Sequence, residues 1–369
     1  MNPSPPGRPR SLLWWEITTA AVLGTVAFAA TGMAIVWVIS GIAAGWSVCR
    51  SMRWAGRRAE PSHRVRTLGQ AMVGAALGPA LAVQDFAGTA AHLPAVFLGL
   101  LLILVGSVII ARLYARWTGT DRLTAGLATL PGGLAIMPSV AVEHGRPPTL
   151  IAMIQASRLT VVICAVPLLA PFLGEVNEAP VTELLHLPTG IGGWVFWIVL
   201  LVLAPLAAMA GRRLRVPVPA LLGPMFAAIV FTVALRVGGV DVAFLQVPFL
   251  QEVVGQVFLG LTVGEYLAQR ARHSARQILG GLLGVAGTFV LALVLAAVMT
   301  PLTPWSFMTC LLVVAPGGAP EMVVVAAAVD ADLHVVVLAQ TVRQVAVNAL
   351  MPFWIWLFDR EPPSAGSKR

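Results

Sequence analysis

The chain has 369 residues, 58% of them apolar and 11% charged, with 24 Lys and Arg against 16 Asp and Glu. A soluble domain of this size could not hide so much apolar surface, and the mean hydropathy of +0.86 points to an all-α polytopic membrane protein. The excess positive charge is almost all arginine, with Lys368 the single lysine, and reflects loop placement; no soluble stretch is long enough to read DNA, so a direct nucleic-acid partner is excluded.

In chain order, residues 1–13 read as a Pro-rich, basic, disordered tail. Residues 14–49 are mostly apolar and too long for one span at about 1.5 Å per residue, so they read as two helices turning near Thr31-Gly32. Arg8, Arg10 and Ala27-Phe28-Ala29 mimic a signal peptide, but an uncleaved first span keeps the halves of the chain equal. A basic loop follows, with Arg50, Arg53, Arg57, Arg58, Arg64 and Arg66. Next come a helix over 67–84 with Gly69, Gly74 and Gly78 for close packing, a loop from Asp85 to His92, a span over 94–111, and a loop with Arg112, Arg116 and Arg122. Segment 123–142 carries Pro131-Gly132-Gly133, segment 149–173 carries Gln155 and Arg158, and Glu175, Glu178 and Glu183 make the linker 174–190 acidic. The second half repeats the order, with spans at 191–210, 217–235, 251–268 and 278–299. Segment 307–329 carries Pro316-Gly317-Gly318 and Glu321, helix 335–358 carries Gln340 and Arg343, and 359–369 is a polar tail.

Repeat one is therefore 14–173 and repeat two 191–358. Pro131 to Leu173 aligns without gaps on Pro316 to Phe358, and Gly69-Gln70, Gly74 and Gly78 align on Gly255-Gln256, Gly260 and Gly264. Basic loops follow the second and fourth segments of half one but the first and third of half two. Under the positive-inside rule the halves then lie in opposite orientations. Six apolar segments per half with an odd number of crossings make each Pro-Gly-Gly segment re-entrant or broken. The result is about ten transmembrane helices plus two such pieces, with both termini cytoplasmic and the protein in the bacterial inner membrane. Arg236 then lies outside, Arg158 and Arg343 lie within the membrane, and every other Lys or Arg is cytoplasmic.

A Pro-Gly-Gly break frees backbone groups that lipid cannot satisfy, so it must face protein or a water-filled cavity. The half-helix after it aims its N-terminal N–H groups at the membrane midplane, where inverted-repeat transporters hold anions. One such break reads more readily as a packing kink; two at matched positions favour a site. Arg158 and Arg343 lie about ten residues into their spans, where a charge costs roughly 3 kcal/mol. Gln155 and Gln340, three residues earlier, share their faces. Such a face can bind a carboxylate or phosphate, or tie down the freed carbonyls of the other break. Glu321, the lone acid at the second break where the first has Ile136, can protonate in a coupling cycle or neutralise Arg343. Cys49, Cys164 and Cys310 read as buried apolar residues, and His63, His92, His144, His186, His273 and His334 share no ligand spacing, so no metal or other cofactor is expected. Trp14, Trp15, Trp194, Trp197, Trp305, Trp354 and Trp356 read as interfacial belts.

The duplicated Pro-Gly-Gly…Gln-x-x-Arg block, with Leu222-Gly223-Pro224-Met225 and Gly69-Gln70, resembles the AbrB-type bacterial membrane proteins over residues 14–358. Some members carry the label ammonia monooxygenase, and some are described as regulators of gene expression. The resemblance implies a polytopic inner-membrane protein; the oxygenase label finds no clustered metal ligands here. Half one departs from the pattern, with Thr31-Gly32 where Leu-Leu-Gly-Pro is expected and no counterpart of Glu321.

These readings lead to a secondary transporter or exporter of a small organic, anionic solute, and not an enzyme. Pro131, Gly132, Gly133, Gln155, Arg158, Pro316, Gly317, Gly318, Gln340 and Arg343 would frame its site, with Glu321 the coupling residue for a proton or sodium. Membrane lipid, the solute and a second copy of the chain are the expected partners. The alternative is a membrane-embedded regulatory or scaffold protein acting on gene expression indirectly.

Overall fold

A computed structural model describes residues 10–56, 60–84, 92–134, 136–173, 187–241, 247–269, 274–329 and 331–359. Among them the chain forms fifteen α-helices. The first half contains α1 (Arg10–Thr31), α2 (Val36–Trp54), α3 (His63–Leu81), α4 (Leu93–Thr118), the short pair α5 (Arg122–Thr129) and α6 (Ile136–Glu143), and α7 (Pro148–Leu173). The second half contains α8 (Gly190–Arg213), α9 (Pro219–Val237), α10 (Phe249–Leu267), α11 (Ala275–Met299), the short pair α12 (Phe307–Val314) and α13 (Ala319–Ala328), then α14 (Leu333–Ala349) and α15 (Met351–Asp359). Both tails beyond residues 10 and 359 lie outside the described residues. So do the acidic loop with Glu175, Glu178 and Glu183, the arginines Arg57, Arg58, Arg270 and Arg272, Asp330, and His186 and His273.

Six helices (α1, α4, α7, α8, α9 and α11) are long and apolar enough to cross a membrane, seven if the bent pair α14–α15 counts as one. Their outer faces leave Val26, Leu101, Val195, Val230 and Val290 exposed, as lipid-facing residues would be. The 19-residue helices α2, α3 and α10 are less apolar for a physical reason: they are interior. α10 packs on both α2 and α3, and α3 also packs on α9. Glycines let these backbones touch. A Cβ at Gly45 would overlap the Leu261 carbonyl, at Gly264 the Ile42 carbonyl, and at Gly74 the Leu221 carbonyl. Gly69 and Gly255 meet each other, a Cβ on Gly69 falling 3.0 Å from the Gly255 oxygen. Buried Gln251, Gln256 and Glu265 then cost α10 nothing against lipid.

The basic ends of the helices gather at one side. Arg53 Nη1 at the end of α2 donates to Ala268 O at the end of α10, at 2.5 Å. Ser62 N at the start of α3 donates to Glu265 Oε2 near the end of α10 (2.7 Å), so α3 and α10 run antiparallel. Tyr114 near the end of α4 donates to Gln277 O at the start of α11 (3.1 Å), so these two are antiparallel as well. Arg146 reaches Asp121 at 3.5 Å and Asp359 at 3.9 Å.

The helix expected over 335–358 is instead broken at Leu350, where α14 and α15 bend by 56°. Pro352 has no N–H for the Asn348 carbonyl, which ends the ladder there. Trp305 and Trp354 are not belt residues: both are buried, Trp305 edge-on to His92 at 5.6 Å.

Candidate functional site

Each Pro-Gly-Gly sits between two short helices, and each hairpin is tied at its mouth. Asp121 caps α5 through Thr124 N and faces Arg146 just beyond α6. Ser306 caps α12, and Asp332 N, just beyond α13, donates to Thr309 Oγ1 at 2.9 Å. In each hairpin the two ends therefore lie together. The first has its mouth at the basic end, beside Arg146, and the second at the opposite end. Helices of 8 to 10 residues are about 12–15 Å long, which places both breaks deep in the bundle.

The Gln–Arg pairs occupy equivalent positions. Gln155 Nε2 donates to Leu127 O (2.8 Å) and Leu130 O (2.9 Å), and Arg158 Nη1 to Thr129 O and Leu130 O (both 3.1 Å). Gln340 Nε2 donates to Leu312 O (2.5 Å), and Arg343 to the carbonyls of Ala315 and Gly317. In each pair the arginine also donates to the glutamine Oε1. A cation thus closes the carbonyl end of the helix before each break, where the helix dipole favours it. The carbonyls secured belong to the arginine's own half, not to the opposite break. Among the described residues neither guanidinium has a carboxylate partner, and both are buried, at 2% and 1% exposure.

The halves meet at the breaks. Gln344 of α14 donates to Gly132 O (3.0 Å) and stands 3.5 Å from where a Cβ on Gly133 would lie. Its counterpart Leu159 of α7 stands 3.5 Å from the same point at Gly318. Gly133, at φ 99°, makes the turn only glycine takes readily. Break two is fully enclosed, whereas in hairpin one Gly133 and Ile136 are partly open and Ser139 is exposed.

Glu321 does not neutralise Arg343. Its Oε1 accepts from Arg66 Nη2 at 2.6 Å, with both residues buried. Arg66 was expected in the cytoplasmic loop; it lies in the first turn of α3 and turns inward. The signal was available: Arg66 is one helical turn from Gly69 and two from Val73, on the face that packs against α10. Among the described residues no three His, Cys, Asp or Glu gather as metal ligands.

The family described as "Transition state regulatory protein AbrB" matches residues 37–359, which include every residue of both breaks. The chain belongs to the AbrB family. It is 29% identical over 360 residues to the uncharacterized protein YhjN of Bacillus subtilis (strain 168), covering 92% of this chain and 91% of that one. It is 25% identical over 339 residues to AbrB of Escherichia coli (strain K12), named as a candidate regulator, covering 90% of this chain and 92% of that one. No solved structure matches the chain.

Proposed function

We propose that this AbrB-family protein is a secondary transporter or exporter, not an enzyme, that moves a small organic anion through a site between its two breaks. The observation that carries the reading is the reciprocal contact at the breaks, Gln344 on Gly132 and Leu159 beside Gly318. It brings both half-helix N-termini, α6 and α13, to one region, next to two guanidinium groups that have no carboxylate partner among the described residues. Buried positive charge of this kind favours an anionic guest. The antiparallel pairs α3/α10 and α4/α11, and hairpin mouths at opposite ends, support two inverted repeats with ten crossings and two re-entrant pieces. The gathered arginines support cytoplasmic termini in a bacterial inner membrane.

A second reading, a membrane-embedded regulator acting indirectly on gene expression, is favoured by the description of the family and the name of the Escherichia coli relative. Purified protein in liposomes separates the two. Radiolabelled small carboxylates should enter faster than in protein-free vesicles, and Gln344→Trp with Leu159→Trp, which fill the gap between the breaks, should stop that flux in folded protein. If no anion, cation or neutral solute in a broad panel crosses, the transport reading is wrong.

A further inference from the structure

The ion pair between Arg66 and Glu321 is one-armed. Glu321 Oε1 takes the single hydrogen bond from Arg66 Nη2, while Glu321 Oε2 and Arg66 Nη1 are both buried with no partner. A buried carboxylate and guanidinium normally pair through two parallel bonds, because each idle atom forfeits its hydration. Among the described residues, one acceptor and one donor of the same ion pair thus remain vacant in the protein interior. The carboxylate also folds back over Gly318, whose missing Cβ leaves the room that Oε2 occupies, at the first turn of α13. Glu321 thus stands where the anionic group of a solute would sit at a half-helix N-terminus. The counterpart at break one is Ile136, which leaves that end without a resident acid.

We infer that Glu321 is a resident stand-in for the solute's anionic group, exchanged for it on Arg66 when Glu321 takes up a proton. This rests on the transport reading and adds to it a partner residue, a coupling ion and a stoichiometry. The step balances. A proton adds to Oε2, the Nη2–H···Oε1 bond breaks, and the solute's oxygens accept from Arg66 Nη1 and Nη2. One anion and one proton enter the site together, so no net charge is added. On release at the other side Glu321 gives up its proton and pairs with Arg66 again. Without the proton the displaced carboxylate would be a bare charge in a dry interior, which costs several kcal/mol.

The other charged or titratable groups on elements packed against α13 are His63 and Arg64 on α3, Arg158 and Cys164 on α7, Glu252, Glu265 and Tyr266 on α10, Cys310 on α12, and Arg343 on α14, with His334 near the far end of the hairpin. Arg158 and Arg343 are engaged with carbonyl and amide oxygens. Glu265 accepts from Ser62 N at the start of α3, and Tyr266 follows it on α10.

The test uses the full chain with lactate, pyruvate and gluconate, all monoanions, tried singly, with protein-free liposomes as the baseline for passive entry. In detergent, the apparent Kd of wild type should rise about tenfold per pH unit across the neutral to alkaline range, where the probes stay ionised. Glu321→Gln should bind more tightly, having no resident competitor, and its affinity should not follow pH. In liposomes a one-unit inward proton gradient should concentrate the anion about tenfold in wild type, and Glu321→Gln should lose that accumulation. Arg66→Gln alone would strand a buried carboxylate, so the double variant Arg66→Gln/Glu321→Gln serves instead; it should fold and bind no probe. Wild-type binding flat with pH, or Glu321→Gln with wild-type pH dependence, overturns the inference while leaving transport intact. If wild type neither binds nor moves any probe, the transport reading fails and this inference with it.

Discussion

Replacing Arg343 by methionine tests what the buried guanidinium does. The change leaves three acceptors without their donor: Ala315 O, Gly317 O and Gln340 Oε1. A buried acceptor stripped of its partner costs about 1–3 kcal/mol. Ala315 O keeps the Gly317 N–H at 2.8 Å, so its loss lies at the low end of that range. Removing a charge from deep in the bundle returns about 3 kcal/mol. The balance is a net loss of up to about 4 kcal/mol. Arg343→Lys keeps the charge but not the planar fork that spans three acceptors, and should lose roughly 1 kcal/mol. The assay is heating of detergent-solubilised protein followed by size-exclusion chromatography, with the buried thiols of Cys49 and Cys310 as reporters of opening. The expected order of survival is wild type, then lysine, then methionine. An Arg343→Met protein as stable as wild type yet inactive would refute the capping role and make the guanidinium a solute ligand.

Gly264→Ala should cost about 1–3 kcal/mol, because its methyl overlaps the Ile42 carbonyl, whereas Gly192→Ala, which meets nothing within 4 Å, should be neutral in the same assay. Thr309→Val unties the mouth of hairpin two by removing the acceptor of Asp332 N; faster amide exchange over α12 and α13 should follow, with a loss of about 1–2 kcal/mol. Single cysteines at Arg213 and Arg236 should label from opposite faces of the membrane, the first from the cytoplasm; labelling of both from one face would end the inverted arrangement.

Much of this molecule was legible because its signals are double. Pro131-Gly132-Gly133 and Pro316-Gly317-Gly318 are each a helix breaker in an apolar run, and matched positions raised them above packing kinks. Gln155, Arg158, Gln340 and Arg343 were found the same way, but spacing alone could not say whether they hold a solute or carbonyls. Their bonding to α5 and α12 depends on how the hairpins fold back. Arg66 was hidden for another reason: it ends a run of loop arginines, and only the glycine face of α3 tells which one turns inward. The break at Leu350 was also beyond sequence reading, since the aligned Pro167 stays inside an unbroken α7.

The contact between Gly69 and Gly255 carries a consequence of its own, for these are counterparts in the two halves of the chain. Under the inverted-repeat reading proposed above, a residue that touches its own counterpart lies on an axis of approximate twofold symmetry, and the glycine faces of α3 and α10 are then complementary copies of one surface. A half-length chain ending near Leu173 would present that face with nothing to cover it. It would be expected to associate isologously, one copy upside down against the other.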